Sequence, residues 1–311
     1  TPCNGFVLTS TAFTTSPPPG KNQLIVTTRA VYFLQIIATG FWATSKLTMH
    51  WNWVNATVVF MLKFISKLFN ILLFRILLAI SRLPFSVLYT LSSFLFFLLY
   101  YILKYRRNIV RQNLLGSLPS TINPVVIEKN FYTNLCEMFL ESLKCMTISE
   151  HNILQTIHCD NPELANKYFH SGKSIILMSG HFFNWEILIY SMNLLFHHQA
   201  IGVGKKLTNQ EFNRLTNERR SRFGLNIIHA DNIREEFATL ANANTATLFL
   251  SDQYPGGATK GYFKKFLNKP SYFLYGAEKY ARQYNLPVLY ARFERVKQGS
   301  YKIHLTEITD K

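Results

Sequence analysis

From Leu83 to Leu103 there is no charged residue for 21 positions. As a helix rising about 1.5 Å per residue, this run reaches roughly 30 Å, the thickness of a bilayer's hydrocarbon core. Pro84 sits where a first helical turn tolerates proline, and Tyr100 and Tyr101 stand near the far end, where interfacial aromatics collect. Lys104, Arg106, Arg107 and Arg111 follow directly. The positive-inside rule then places everything C-terminal to the span in the cytoplasm. The preceding stretch, 68–80, is interrupted by Arg75 and is shorter, which predicts an interfacial or re-entrant helix. The same two segments would also suit a buried helix pair.

The charge distribution agrees with an anchor followed by a separate domain. The chain of 311 residues carries a net charge of +16, yet its first acid is Glu128. Eleven of the 33 Lys and Arg precede that point, leaving 22 against all 17 acids in the remainder. A basic excess concentrated in a hydrophobic third fits an anionic membrane face, and no helix-turn-helix or basic-aromatic platform suggests nucleic acid as a partner. The first 60 residues are acid-free, begin with Thr1 and contain Pro17, Pro18 and Pro19, whereas from Met61 the chain turns basic and strongly apolar. This predicts a non-native or disordered extension over 1–60, an anchoring region over 61–111 with its span at about 83–103, and a catalytic domain over 112–311. Cys3, Cys136, Cys145 and Cys159 show no paired spacing, so a reduced, cytoplasm-facing domain is expected, with Cys136 and Cys145 as small buried hydrophobes.

Past a polar turn at Pro119 to Pro124, Ile127, Phe131, Leu135 and Met138 recur at helical spacing. Short β-rich runs follow at 174–179, 226–229, 245–251, 286–293 and 301–306, separated by helical runs at about 185–197, 209–223, 231–241 and 272–285. The alternation predicts an α/β domain around a mainly parallel sheet with flanking helices and an edge hairpin at its C-terminal end.

In such sheets ligands gather beyond the carboxyl ends of the strands. The strongest candidate follows the first run: His181 in a strand-to-helix turn after Gly180, and Glu186 in the next helix. A neutral imidazole can take a proton from a hydroxyl while a carboxylate fixes its tautomer. By spacing alone the pair also fits a structural histidine and a helix-start glutamate. Ser171 to Ser174 imitates a phosphate loop but has Lys167 at the required first glycine. There is no Gly-x-Ser-x-Gly elbow, and the histidines lack a zinc pattern, so no metal or organic cofactor is expected.

Gly180, His181 and Glu186 match the His-x4-Asp/Glu signature of glycerolipid and lysophospholipid acyltransferases. The wider context resembles the lipid A biosynthesis lauroyl/myristoyl acyltransferase family. A hydrophobic anchor leads to Tyr105, Arg106, Arg107 and Asn108, then Asn113 and Leu114; Arg219, Arg220, Phe223 and Gly224 follow, then Ser251, Asp252 and Gln253, and finally Leu286, Pro287 and Val288. The likeness runs from about Met61 to Lys311, and it makes 112–311 an acyltransferase domain. It implies transfer of a fatty acyl group from acyl carrier protein, or acyl-CoA, to a hydroxyl of a lipid A precursor at the bacterial inner membrane. His181 is carried over as general base and Glu186 as its partner. Arg219 and Arg220 would bind an acceptor phosphate or the oxyanion, or else form a solvated helix face. Asp252 and Gln253 would orient His181 or position substrate, or else form a simple turn. Asn184 and Trp185 would line a pocket. Family members usually continue beyond this point, so the resemblance also implies a C-terminal truncation. Two other readings stand beside this one: acylation of another lysophospholipid, aminolipid or glycolipid, and an inactive membrane adaptor of the same fold.

Overall fold

The computed structural model describes residues 54–118, 122–255 and 261–309. The predicted extension over 1–60 therefore lies outside the described residues as far as residue 53. Helix α1 runs Val54–Arg82, and α2 runs Phe85–Phe97 and continues through a widened π-turn at Leu98–Ile102. Pro84 separates them in an extended conformation, since proline disfavours a helical residue before it and cannot donate into the preceding turn. Both Phe64–Arg82 and Phe85–Ile102 are apolar and long enough to cross a membrane. The interfacial helix expected over 68–80 is thus part of a 29-residue helix, on which Arg75 is exposed. On α1 the buried residues Asn70, Phe74, Leu77 and Ser81 recur at helical spacing, while Phe64, Ile65, Leu68, Phe69, Leu72 and Ile76 remain exposed. One stripe packs on the domain and a wide apolar band is left for a nonpolar solvent.

Helix α3 (Arg107–Ser117) and the long α4 (Pro124–Cys145) join the anchor to the domain. Asn123 caps α4 by accepting from the Val125 amide, and Pro124 occupies the first turn, where its missing N–H costs nothing. Fully buried Glu128 of α4 receives Arg107 at 2.7 Å and Arg111 at 2.9 Å. Burial alone would push its carboxyl up, but the two guanidiniums overcome this and hold it below its ordinary value. Arg107 also lies 4.0 Å over the Tyr100 ring. Half of the basic flank expected to set membrane orientation is therefore also a structural clamp between α2, α3 and α4.

The domain continues as α5 (Glu150–Thr156), β1 (Ile157–Cys159), α6 (Glu163–His170), β2 (Ile175–Ser179), α7 (Trp185–Leu195), β3 (Gln199–Gly204), α8 (Gln210–Arg220), β4 (Asn226–His229), α9 (Ile233–Leu240), β5 (Thr245–Leu250), β6 (Gly261–Phe266), β7 (Lys269–Leu274), α10 (Gly276–Tyr284), β8 (Val288–Lys297) and β9 (Ser300–Thr309). Seven strands form one sheet in the order β1-β9-β8-β2-β5-β3-β4, parallel except for the β8–β9 hairpin. That hairpin does not lie at the expected edge, because β1 pairs outside it with β9. β6 and β7 form a separate antiparallel ribbon. The central strands β2 and β5 are apolar on both faces, as strands covered by helices on both sides must be. Cys136 and Cys145 are buried as expected, and burial pushes the Cys136 thiol up to about 12 and that of Cys145 higher still.

A buried polar cluster fastens the anchor to the sheet. Glu141 of α4 accepts hydrogen bonds from Tyr301 of β9 and from Tyr89 of α2, the latter at 2.8 Å. Beside it Arg295 of β8 pairs with Glu137 at 2.6 Å. At the β8–β9 turn Gly299 has φ +68, and a Cβ there would come within 2.6 Å of the Tyr89 hydroxyl. Both the turn and the close approach of the anchor helix require glycine.

Candidate active site

β2 and β5 are parallel neighbours with Ser179 opposite Leu250, and the Ser251 amide extends the pairing to the Ser179 carbonyl at 3.1 Å. Two residues beyond that register pair stand His181 on one chain and Asp252 on the other. The Asp252 carboxylate accepts twice from His181: the main-chain N–H donates to Oδ2 at 2.9 Å, and Nδ1 lies 2.6 Å from Oδ1. A carboxylate in this position requires the proton on Nδ1, which leaves the Nε2 lone pair facing outward. The Gln253 side-chain amide stands 3.1 Å from Nε2 and supplies the donor that lone pair needs. The turn is tight. A Cβ on Gly180 would come within 2.6 Å of the Phe182 ring, and Phe183 takes a left-handed φ of +43. The Trp185 ring meets His181 edge-on at 5.0 Å.

Glu186 stands in the first turn of α7, the helix anticipated for it, but its ion pair is with Arg220. Its carboxylate is held by Arg220, with Nε at 2.9 Å and Nη2 on the other oxygen. The side chains are 10% and 22% exposed, so the pair is largely desolvated. Burial would lower the Arg220 pKa, but Glu186 more than offsets it and keeps the guanidinium charged. The carboxylate at His181 Nδ1 is therefore that of Asp252, while Glu186 ties the first turn of α7 to the last turn of α8. Strand register explains this: α7 carries Glu186 away from the sheet edge, whereas Asp252 leaves it beside His181.

Asn184, expected to line a pocket, is the buried N-cap of α7. Its Oδ1 accepts from the Ile187 amide and its Nδ2 reaches Glu141 at 3.4 Å. Arg219 is half-buried, and among the described residues it faces no carboxylate. Its neighbour Arg222 donates to the Cys145 and Ile148 carbonyls, closing the C-terminal end of α4. An apolar cavity of about 80 Å³ lies between α1, α4, α7 and α8, walled by Leu77, Met138, Phe139, Leu143, Trp185 and Phe212, with Glu186 and Arg220 on its polar side. Trp185 belongs both to this wall and to the surroundings of His181. Sequence spacing gives no sign of the cavity, because its lining comes from four helices far apart along the chain.

The family model for bacterial lipid A biosynthesis acyltransferases matches residues 61–309. The chain belongs to this family. It is accordingly an acyltransferase enzyme of lipid A biosynthesis type, acting on lipid with an acyl donor, and its two apolar helices together with the family indicate association with membranes. A comparison with curated proteins finds no match. Within the acyltransferase, His181, Asp252 and Gln253 come together at one end of the sheet, with the Glu186 and Arg220 pair behind Trp185.

Proposed function

We propose that the protein moves a fatty acyl chain from an acyl carrier protein thioester, or acyl-CoA, to a hydroxyl of a lipid A precursor, with His181 as general base and Asp252 as the carboxylate that positions it. The reading is carried by the contact of Nδ1 with Asp252 at the ends of adjacent parallel strands. With Nδ1 protonated, Nε2 accepts the proton of the acceptor hydroxyl as its oxygen attacks the thioester carbonyl. The Asp252 charge stabilises the resulting imidazolium. The tetrahedral intermediate then collapses, the C–S bond breaks, and the thiolate leaves with the proton that His181 returns. In this scheme the Gln253 amide marks where the acceptor hydroxyl enters, since it already bonds the reactive lone pair.

The end of the donor's chain would occupy the apolar cavity behind Trp185, with Glu186 and Arg220 on its polar side. Arg219 supplies a cation for an acceptor phosphate. Lys104, Arg106, Arg107 and Arg111 after the second apolar helix support a cytoplasmic catalytic domain on the inner membrane. The test is acyl addition, followed by mass spectrometry, with the full chain in membranes, labelled acyl carrier protein thioester and a tetraacylated lipid A precursor. Addition by the parent and none by His181→Ala is the expected result, and equal transfer by both refutes the mechanism. Competing lysophospholipid or glycolipid acceptors reveal whether the acceptor is assigned correctly.

A further inference from the structure

The β6–β7 ribbon is left over from the sheet and from the mechanism. Six residues pair with six in a lone two-stranded ribbon, a structure that is marginal in water without a surface to pack on. Every residue from Tyr262 to Phe266 is exposed, on both faces of the strand, and Phe263 is 56% exposed. The rings gather across the ribbon instead of in a core: Tyr262 with Phe273, Phe263 with Tyr272, Phe266 with Phe273. Lysines interleave with them. From Gln253 to Ala277 the sequence has four lysines and no acid, and among the described residues no carboxylate pairs with Lys264 or Lys265.

Its position is fixed at both ends. The ribbon follows the loop that carries Asp252 and Gln253. Its turn residues Leu267 and Asn268 both have positive φ, the geometry of a tight two-residue hairpin, so an apolar side chain stands at the tip. Beside that tip Lys269 donates to Asn113 of α3 at 3.0 Å, and its stem packs so close to Gly116 that a Cβ there would meet it at 2.9 Å. α3 begins five residues after the second apolar helix ends. The ribbon thus bridges the membrane-proximal helix and the mouth of the active site.

We propose that the β6–β7 ribbon is an interfacial membrane element: its aromatic rings and Leu267 enter the headgroup region of the bilayer, and Lys264 and Lys265 bind anionic lipid headgroups. Aromatic rings favour that layer, and lysine can keep its stem apolar and its ammonium in the phosphate plane. The contact with α3, which follows directly on the apolar helices, and a one-sign charge pattern single out a lipid surface as the occupant. The consequence for catalysis is that the mouth beside Gln253 opens at the level where an amphipathic acceptor's hydroxyls lie.

The inference rests on membrane association through α1 and α2, so the experiment reads the two separately. One tryptophan is added at a time, as Phe266→Trp, as Phe97→Trp within the second apolar helix, or as Ala243→Trp at the opposite pole of β5, and its signal is the difference from the parent, which carries four tryptophans. The full chain is held in nanodiscs with brominated acyl chains, made of phosphatidylethanolamine with or without phosphatidylglycerol. The expectation is quenching of the Phe266→Trp and Phe97→Trp signals to about half or less, and none at position 243. The position 266 quenching should weaken about two-fold when phosphatidylglycerol is omitted or Lys264→Glu and Lys265→Glu are introduced. Quenching at 97 without quenching at 266 overturns the proposal while leaving the anchor intact; no quenching at 97 overturns both. Quenching at 266 that ignores lipid charge and both lysine changes overturns the headgroup assignment. An emission change at 266 only on adding acidic acyl carrier protein assigns the ribbon to a protein partner instead.

Discussion

Glu186→Ala should behave as the loss of a buried ion-pair partner. The carboxylate makes two contacts with Arg220, and with side chains only 10% and 22% exposed neither charge is well hydrated. Removing one member strands a guanidinium at the last turn of α8, which costs about 3 kcal/mol, the low end of the range for breaking a buried pair because Arg220 keeps some solvent. For a domain of this size that is a fall of about 6–12 °C in Tm. Replacing both, as Glu186→Leu with Arg220→Met, removes the uncompensated charge and extends the apolar wall already formed by Leu77, Leu143 and Phe212. The double variant should return to within a few degrees of the parent. Thermal unfolding of the parent, Glu186→Leu, Arg220→Met and the double variant in the same nanodiscs, followed by circular dichroism with Glu186→Ala alongside, gives the coupling directly. A Glu186→Ala protein as stable as the parent, or a double variant as unstable as the two single changes added together, refutes the assignment of Glu186 to the α7–α8 clamp.

Filling the cavity with Leu143→Trp should shift donor preference toward shorter acyl chains by about ten-fold in relative rate, because a ring in that wall occupies the volume a chain terminus would use; unchanged preference across a series of chain lengths would place the chain elsewhere. Two buried carboxylates should give opposite pH signatures. Burial raises the Glu141 pKa above its ordinary 4.5 despite the bonds from Tyr301 and Tyr89. The folded state then holds that proton more tightly, so its contribution is present below the ordinary value and is lost as pH rises through the folded-state pKa. Glu141→Gln should therefore flatten the decline of Tm with rising pH, and curves that stay parallel to the parent's would contradict this. Glu128 is lowered, so its contribution is present above 4.5 and lost as pH falls; Glu128→Gln should lose less stability than the parent on acidification, measured in the same titration.

Much of the fold is legible in the sequence because strand and helix periods differ. The runs at 174–179, 226–229 and 245–251 are β-branched and apolar enough to be seen as strands, and they fall at β2, β4 and β5. β1, with three residues, is too short to carry a period, and β3 (Gln199–Gly204) mixes two glycines with polar ends. The ribbon is hidden because its exposed rings and lysines imitate no half-buried alternation. At the site, strand order decides what spacing cannot. Glu186 is five residues from His181 in sequence and Asp252 is 71, yet the β2–β5 pairing puts the distant one on the ring. Glu141 leaves one trace, a carboxylate on the same helical stripe as Met138 and Cys145, and a charge among apolar positions of that period is the mark of a buried polar cluster.

The most direct test of the account is the acyl-transfer rate of Asp252→Asn. Asparagine keeps the size, and its oxygen can still accept from the His181 main-chain N–H, but the amide it turns toward Nδ1 favours the tautomer with the proton on Nε2. If Asp252 fixes the base, transfer falls about 100-fold or more while Tm stays close to the parent's; transfer within about two-fold of the parent would show that His181 does not depend on Asp252 and would remove the mechanism's foundation.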